Sequence, residues 1–320
     1  MLITLSLREQ LRLELQSAGL LLDAATYQAV RSAVSAAGAT EVRRLESALG
    51  PSVWRHGLAC LGRPYPDGDC RRVLGFGRVL SGFAVAPLGL AGEARERVLR
   101  LGALCNFIVA TYDHLVDSDP GHRSVLHRGS VAPARHRWSV RRLLGGIFRP
   151  PASRLMEQLV ALYFAELQRL PHAGTRIRLR AGIERLIVRM YDAEGASLTG
   201  AATPRLLRRK AALPFVVMGL PGWLAVADEQ GGEYWWHLRW LYRLGDLFGW
   251  VDDAVDLEED REAGRPNRLL TDPVTASGIA TDAAWLLSEW RERVGSDDAS
   301  RRAEQEGFRG CLVSWLGGVG

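Results

Sequence analysis

The stretch that decides the fold runs Gly245-Asp246-Leu247-Phe248-Gly249-Trp250-Val251-Asp252-Asp253-Ala254-Val255-Asp256-Leu257-Glu258-Glu259-Asp260. On a helix, Asp252, Asp256 and Asp260 form one acidic stripe with about 6 Å between neighbours. Such a stripe is unfavourable unless a cation binds to it, and the mostly apolar residues 244–251 before it predict a buried lead-in. Hard oxygen ligands beside an apolar interior predict Mg²⁺ and a polyanionic substrate. The alternative is the acidic end of a solvated helix.

A second acidic feature ends another predicted helix, from Gly92 to Val116. Asp113 and Asp117 are again four residues apart, on the face that also carries Asn106. This pair predicts a second half of the same cation site. Ordinary helix termination by Asp and Pro remains the alternative for this motif alone.

The rest of the chain predicts one all-α domain over residues 1–320, a bundle of about ten or more helices with a central cavity. No alternating strand pattern, repeat or linker divides it. Two or three helices are expected between Ser6 and Gly50, helical periodicity returns from Leu155 to about Leu198, and two further helices are expected near Ile279–Val294 and Ala299–Leu316. Residues 62–69 are expected to form a loop.

Cysteine usage and hydropathy predict a cytoplasmic protein. The four cysteines have no paired metal or redox spacing, and the N-terminus reaches charged residues too soon for a signal peptide. The most hydrophobic run, Ala211 to Ala227, is interrupted by Pro and Gly and is too short to span a membrane. No integral membrane segment is therefore expected, and this run is interpreted as a broken core helix.

The basic residues are almost all arginines, and Lys210 is the only lysine. Arg208 and Arg209 precede it at the start of an apolar helix, where they either lie at a cavity mouth or form a solvated helix start. The segment from Arg123 to Arg154 is basic throughout and favours a lid over a diphosphate, with an anionic-membrane patch or a nucleic-acid arm as alternatives. Because aromatic residues are few in it, no nucleic-acid partner is expected.

Together these motifs resemble the class I isoprenoid synthases. The opening stretch is similar to the second motif of the trans-prenyl diphosphate synthases, Gly-x-x-Phe-Gln-Ile-x-Asp-Asp-x-x-Asp, with Gly249 in the place of Gln. Asp113-His114-Leu115-Val116-Asp117 is similar to the first motif, Asp-Asp-x-x-Asp, with His at its second position. Residues 210–215 resemble a diphosphate-binding element, and Gly264-Arg265 resembles a Gly-Lys pair. The matched motifs run from about Asn106 to Asn267.

The resemblance and the charge pattern together imply the site residues. The ligands of about three Mg²⁺ ions would be Asp113, Asp117, Asp252, Asp256 and Asp260, the first four being essential for catalysis. The substrate diphosphate would be bound by Lys210, Arg209, Arg265 and Arg123. The cavity would be lined by Phe248, Phe215, Phe107 and Asn106.

The implied activity is that of a Mg²⁺-dependent class I terpene synthase, a cyclase that ionises an allylic prenyl diphosphate and releases pyrophosphate, with a homodimer as an open possibility. Cyclisation is favoured because the second diphosphate site of chain-elongating enzymes, a Gly-Gly-Lys-Arg-x-Arg-Pro element with an Arg-Arg pair after the first motif, is not visible. The enzymatic alternatives are head-to-head coupling of the squalene and phytoene type and chain elongation. An alternative of another class is a non-catalytic basic anion-binding protein.

Overall fold

The computed structural model describes residues 5–59, 67–118, 150–198, 203–226, 231–295 and 299–317, and these residues form α-helices and short 3-10 turns without any β-strand. The helices are α1 (Leu7–Ser17), α2 (Ala24–Leu49), α3 (Pro51–Ala59), α4 (Asp67–Val85), α5 (Gly92–Ser118), α6 (Pro150–Gln168), α7 (Ile177–Leu198), α8 (Pro204–Gly219), α9 (Gly231–Ala263), α10 (Ala276–Val294) and α11 (Ala299–Trp315). The predicted all-α class is confirmed.

The helix boundaries follow local sequence signals. Ser6 caps α1 in a capping box with Glu9, and Thr203 caps α8 with Pro204 in the first turn. Pro214 lies inside α8 without ending it, and the break falls instead in the 3-10 turn Leu220–Leu224. The loop expected over 62–69 is shorter at its C-terminal end, because α4 already begins at Asp67.

Backbone contacts fix α2, α4 and α5 against one another. A Cβ atom at Gly38 would overlap the carbonyl of Arg71 on α4, and one at Gly75 would overlap the carbonyl of Val34 on α2. Gly77 of α4 meets α5 in the same way, since a Cβ there would lie 2.6 Å from the carbonyl oxygen of Gly102. These glycines let the three helices approach more closely than side chains would permit.

Helices α8 and α9 cross closely as an antiparallel pair. A Cβ atom at Gly245 of α9 would lie 2.6 Å from Cα of Ala212, and one at Gly219 of α8 would lie 2.5 Å from the side chain of Leu241. The basic start of α8 therefore lies beside the acidic half of α9.

A column of aromatic rings runs through the core from this end of the molecule. Phe248 stacks on Phe215 at a centroid distance of 5.0 Å and meets Phe308 at 6.1 Å. Phe308 stacks on Phe83 at 4.4 Å, and Phe83 stacks on Trp290 at 4.9 Å. The acidic half of α9 thus stands on a dry, aromatic interior.

The remaining sequence expectations concern cysteines and membrane segments. Cys70, Cys105 and Cys311 are buried, free thiols, whereas Cys60 lies outside the described residues. Among the helices that the structure describes, none is long and apolar enough to cross a lipid bilayer.

Candidate functional site

The carboxylates of α9 divide into two sets that the sequence alone does not separate. Asp246, Asp253 and Asp260 are spaced by seven residues, which is close to two helical turns, so they share one face. Asp252 and Asp256 lie on the neighbouring face. The segment after α9, residues 265–268, returns along the first face and leaves the second face open.

Asp252 holds its carboxylate in a recess that solvent can still reach. Nε1 of Trp315 donates a hydrogen bond to its Oδ1 at 2.9 Å. Burial by the surrounding protein raises the pKa of Asp252 to about 6, and nearby Asp256 and Asp253 act in the same direction. The Trp315 hydrogen bond and Lys210 oppose this rise. Asp252 is therefore a partly desolvated negative charge with little compensation.

Asp256, one turn further along, is exposed, and no described side chain donates a hydrogen bond to it. Its pKa is raised first by burial and then by Asp260 and Glu259. Asp252 and Asp256 thus form a pair of hard oxygen donors whose mutual repulsion a cation would relieve.

Arg268 bridges the carboxylates of Asp246 and Asp253. Its Nε donates to Oδ2 of Asp253 at 2.5 Å, and its Nη1 donates to Oδ1 of Asp246 at 2.6 Å. The guanidinium is almost fully buried, with 3% of the side chain exposed, and lies 4.0 Å above the ring of Trp250. Sequence reasoning did not assign Asp246 or Arg268 to the site.

Asp260 is held differently from what its stripe spacing predicts. Its Oδ1 pairs with Nε of Arg265 at 3.2 Å, and its Oδ2 accepts a hydrogen bond from Nδ2 of Asn267 at 3.0 Å. Arg265 also pairs with Glu259. Both the expected metal ligand Asp260 and the expected diphosphate ligand Arg265 are therefore engaged with each other in this structure.

The start of α8 brings basic side chains to the same place. Lys210 is half-buried and close enough to Asp252 to lower its pKa, and Nε of Arg208 lies 2.9 Å from Oδ2 of Asp246. Arg209 is exposed. Sequence analysis placed Arg208 in the basic start of α8, two residues before Lys210, but did not predict that it would pair with an aspartate of α9.

The helix with the first acidic pair, α5, packs on α4. Nδ2 of Asn106 on α5 donates to the carbonyl of Val73 on α4 at 2.7 Å, and Phe76 on α4 meets Trp315 edge-on at 6.3 Å. Because Trp315 binds Asp252, the middle of α5 and the acidic half of α9 are linked through α4 and α11. Asp113 and Asp117 lie in the last two turns of α5.

The side chains of Asp113 and Asp117 lie outside the described residues, as do Arg123 and residues 119–149 of the arginine-rich segment.

The expected cavity residues occupy several parts of the core. Phe248 and Phe215 form the stacked pair below Asp252, with Phe248 also edge-on to Trp315 at 5.3 Å. Phe107 is buried against Trp54 at 5.5 Å. The side-chain amide of Asn106 donates a hydrogen bond from α5 to the main chain of α4.

The donor chemistry of Asp252 and Asp256 fits a hard divalent cation, but as half of a site. Among the described side chains, no three His, Cys, Asp or Glu residues converge on one point. A complete site therefore needs further ligands.

A cavity of about 250 Å³ lies next to this site, between α2, α4 and α11. Arg31, Arg72 and Asp69 supply its charged lining, and Phe76 separates it from Trp315. Asp69 pairs with Arg72 at 3.3 Å, so the two arginines and one aspartate leave a small positive balance.

The described helices have the class I isoprenoid synthase fold, as the motif resemblance implied. The chain is similar to the structure of a geranylgeranyl pyrophosphate synthetase from the archaeon Geoglobus acetivorans, with a TM-score of 0.51 and 14% identity over 88% of this chain and 98% of that one. It is also similar to a geranyltransferase from Legionella pneumophila, with a TM-score of 0.53 and 13% identity over 91% of this chain and 97% of that one.

At these identities the similarity shows the fold alone. No protein-family model matches the sequence, and a search of curated proteins finds no match.

Proposed function

We propose that this protein is a Mg²⁺-dependent enzyme that ionises an allylic prenyl diphosphate and transfers the prenyl group to an acceptor. The observation that carries the proposal is the pair Asp252 and Asp256, whose pKa values are raised first by burial and then by the charges of neighbouring acids. The pair stands at the end of an apolar aromatic core. A solvent-accessible acidic pair beside an apolar interior is suited to a divalent cation that accompanies a polyanion.

Asp252 and Asp256 of α9 would hold Mg²⁺ together with Asp113 and Asp117 from the end of α5. Bound Mg²⁺ would offset the charge of the diphosphate and stabilise the departing pyrophosphate. Asp260 is a weaker candidate, because both of its oxygens already have partners.

The start of α8 would bind the diphosphate oxygens. Lys210 lies near Asp252, and Arg209 precedes it as an exposed side chain. Cationic donors next to the acidic pair give the site the mixed charge that a metal diphosphate requires.

The aromatic pair Phe248 and Phe215 would face the prenyl chain. Phe248 is 1% exposed, and its ring lies one turn before Asp252. An apolar floor at this depth excludes water from the ionised carbon, and the ring faces favour a developing positive charge.

Prenyl transfer is favoured over cyclisation because the two similar structures, matched over nearly their full lengths, are a geranylgeranyl pyrophosphate synthetase and a geranyltransferase. The cavity beside Trp315, with Arg31 and Arg72 in its lining, supplies room for an acceptor. Cyclisation is the second candidate. It is supported by the missing Gly-Gly-Lys-Arg-x-Arg-Pro element and by Asp69, whose charge opposes a second diphosphate in that cavity.

The deciding experiment incubates the protein with Mg²⁺ and allylic diphosphates of about 10 to 25 carbons, with and without isopentenyl diphosphate, followed by mass spectrometry of the products. Five added carbons indicate elongation, a doubled skeleton indicates coupling, and an unchanged carbon number indicates cyclisation or elimination. Asp252→Asn and Asp256→Asn should each reduce turnover by orders of magnitude. Asp282→Asn, an exposed acid on α10, is the matched control and should retain activity.

The proposal is wrong if none of these substrates is consumed, or if Asp252→Asn turns over as fast as the unmodified protein. In the first case, salt-dependent binding to anionic vesicles or DNA would favour the non-catalytic alternative, because several phosphate contacts give a steep salt dependence.

A further inference from the structure

We propose that Arg268 is a positioning residue that withholds Asp246 and Asp253 from the metal, so that Asp252 and Asp256 are the carboxylates which α9 offers to it. The inference deepens the proposed function and rests on it. The side chain that determines which carboxylates bind the metal is then Arg268, which follows α9 and lies outside both acidic motifs.

The first step in the argument is the geometry of the guanidinium. Its Nε and Nη1 bind Asp253 and Asp246, which are two helical turns apart, and its Nη2 lies 3.3 Å from the main-chain oxygen of Asp246. The planar fork of arginine holds its donors in fixed, separated positions, so it can serve both carboxylates at once. The ring of Trp250 lies 4.0 Å from the guanidinium and adds a cation–π contact.

The second step is the space that Gly249 leaves. A Cβ atom at this position would lie 2.5 Å from Nη2 of Arg268 and would also overlap Cβ of Ala211. In the resembled motif this position is Gln, whose side chain cannot be present together with the guanidinium as it lies here. Gly249 and Arg268 are therefore two parts of one arrangement.

The third step is the charge that Arg268 balances. Without the guanidinium, the half-buried carboxylate of Asp253 would lose the cation that lies 2.5 Å from its Oδ2 while remaining next to Asp252. A divalent cation is the natural replacement for the lost positive charge. Removing Arg268 should therefore free the carboxylate of Asp253 to act as an additional metal ligand.

The test measures thermal unfolding without substrate, with and without saturating Mn²⁺. Arg268→Gln should melt several degrees below the unmodified protein in the absence of metal, and Mn²⁺ should raise its melting temperature by several degrees more than it raises that of the unmodified protein. Adding Asp253→Asn to this variant should return the Mn²⁺ response to its original size. Arg261→Gln, which breaks the exposed pair with Glu258 on the same helix, is the control and should leave the response unchanged.

A purely structural arginine would lower the melting temperature equally with and without Mn²⁺, and that result overturns the proposal. Should Arg268→Gln not fold, Arg268→Lys keeps one charge but only one contact, and a Mn²⁺ response equal to that of the unmodified protein would again overturn it. If only the variants respond to Mn²⁺, the positioning role holds and the metal site of the proposed function fails. If no protein responds, both are refuted.

Discussion

The hydrogen bond from Trp315 sets the pH range in which Asp252 can bind a cation, and Trp315→Phe isolates it. The substitution removes the N–H donor 2.9 Å from Oδ1 of Asp252. A phenyl ring can keep the edge-on contacts with Phe76 and Phe248. Because the bond favours the ionised carboxylate, losing it should raise the pKa of Asp252 further above its present value of about 6.

The size of the effect follows from the exposure of Asp252. A hydrogen bond to a charged group contributes about 1.5–3 kcal/mol when it is shielded from water. Since Asp252 is open to solvent, about 1 kcal/mol is the appropriate value. One pH unit corresponds to about 1.4 kcal/mol, so the midpoint of the pH dependence should move upward by about 0.7 pH unit.

The assay is calorimetric titration with Mn²⁺, without substrate, from about pH 5 to about pH 8, across the range in which a carboxyl with a raised pKa changes charge. In the unmodified protein, affinity should fall as the pH decreases through about 6, because Asp252 takes up a proton there. In Trp315→Phe the same fall should begin at higher pH, while affinity near pH 8 is equal or greater, because the indole no longer competes for Oδ1. Trp285→Phe on α10 is the control. An unchanged midpoint would refute the reasoning.

Two further predictions concern stability. Gly245→Ala should lower the free energy of unfolding by about 3 kcal/mol, because its Cβ atom would lie 2.6 Å from Cα of Ala212, whereas Gly182→Ala, with open space around it, should stabilise by about 0.5–1 kcal/mol. Urea unfolding of both variants checks this, and equal effects would contradict it. Burial lowers the pKa of His237 from 6.5 to about 4, so protonation of the unfolded chain should cost about 3 kcal/mol of stability between pH 7 and pH 4. Urea unfolding across this range, with the profile of His237→Gln subtracted, should show that loss, and a flat difference would contradict it.

Local sequence patterns predicted the helices well. The long helix expected from Gly92 to Val116 is α5, Gly92–Ser118, and the two expected after the acidic stretch are α10 and α11. Helical periodicity and helix-end signals are local patterns that extend over a few turns, so residues near one another in sequence determine where each of these helices lies.

The roles of the acids were less predictable, because they depend on where distant residues return. The spacing of four residues suggested that Asp260 shares a helix face with Asp256. On an ideal helix, however, Asp260 is rotated by about 20° from Asp253 and by about 40° from Asp256, so the sequence was compatible with either face. Arg265 and Asn267 decide between them through hydrogen bonds and ion pairs that cross a turn. Trp315 reaches Asp252 from 63 residues away, and no local pattern indicates such a contact.

The departure at Gly249 was visible in the sequence, but its reason was not. The missing side chain indicated only that the second motif is incomplete. The structure supplies the reason, since Arg268 fills the volume that a longer residue would need.

The glycine contacts among α2, α4 and α5 restrict how this protein could acquire a different ligand. A side chain can adopt another rotamer to make room, but two main chains in contact have no comparable adjustment. The wall made by these three helices is therefore a fixed template against which variation occurs. Divergence or directed evolution toward a larger or smaller ligand should accumulate at residues that project from the wall, such as Phe76, while Gly38, Gly75 and Gly77 stay unchanged.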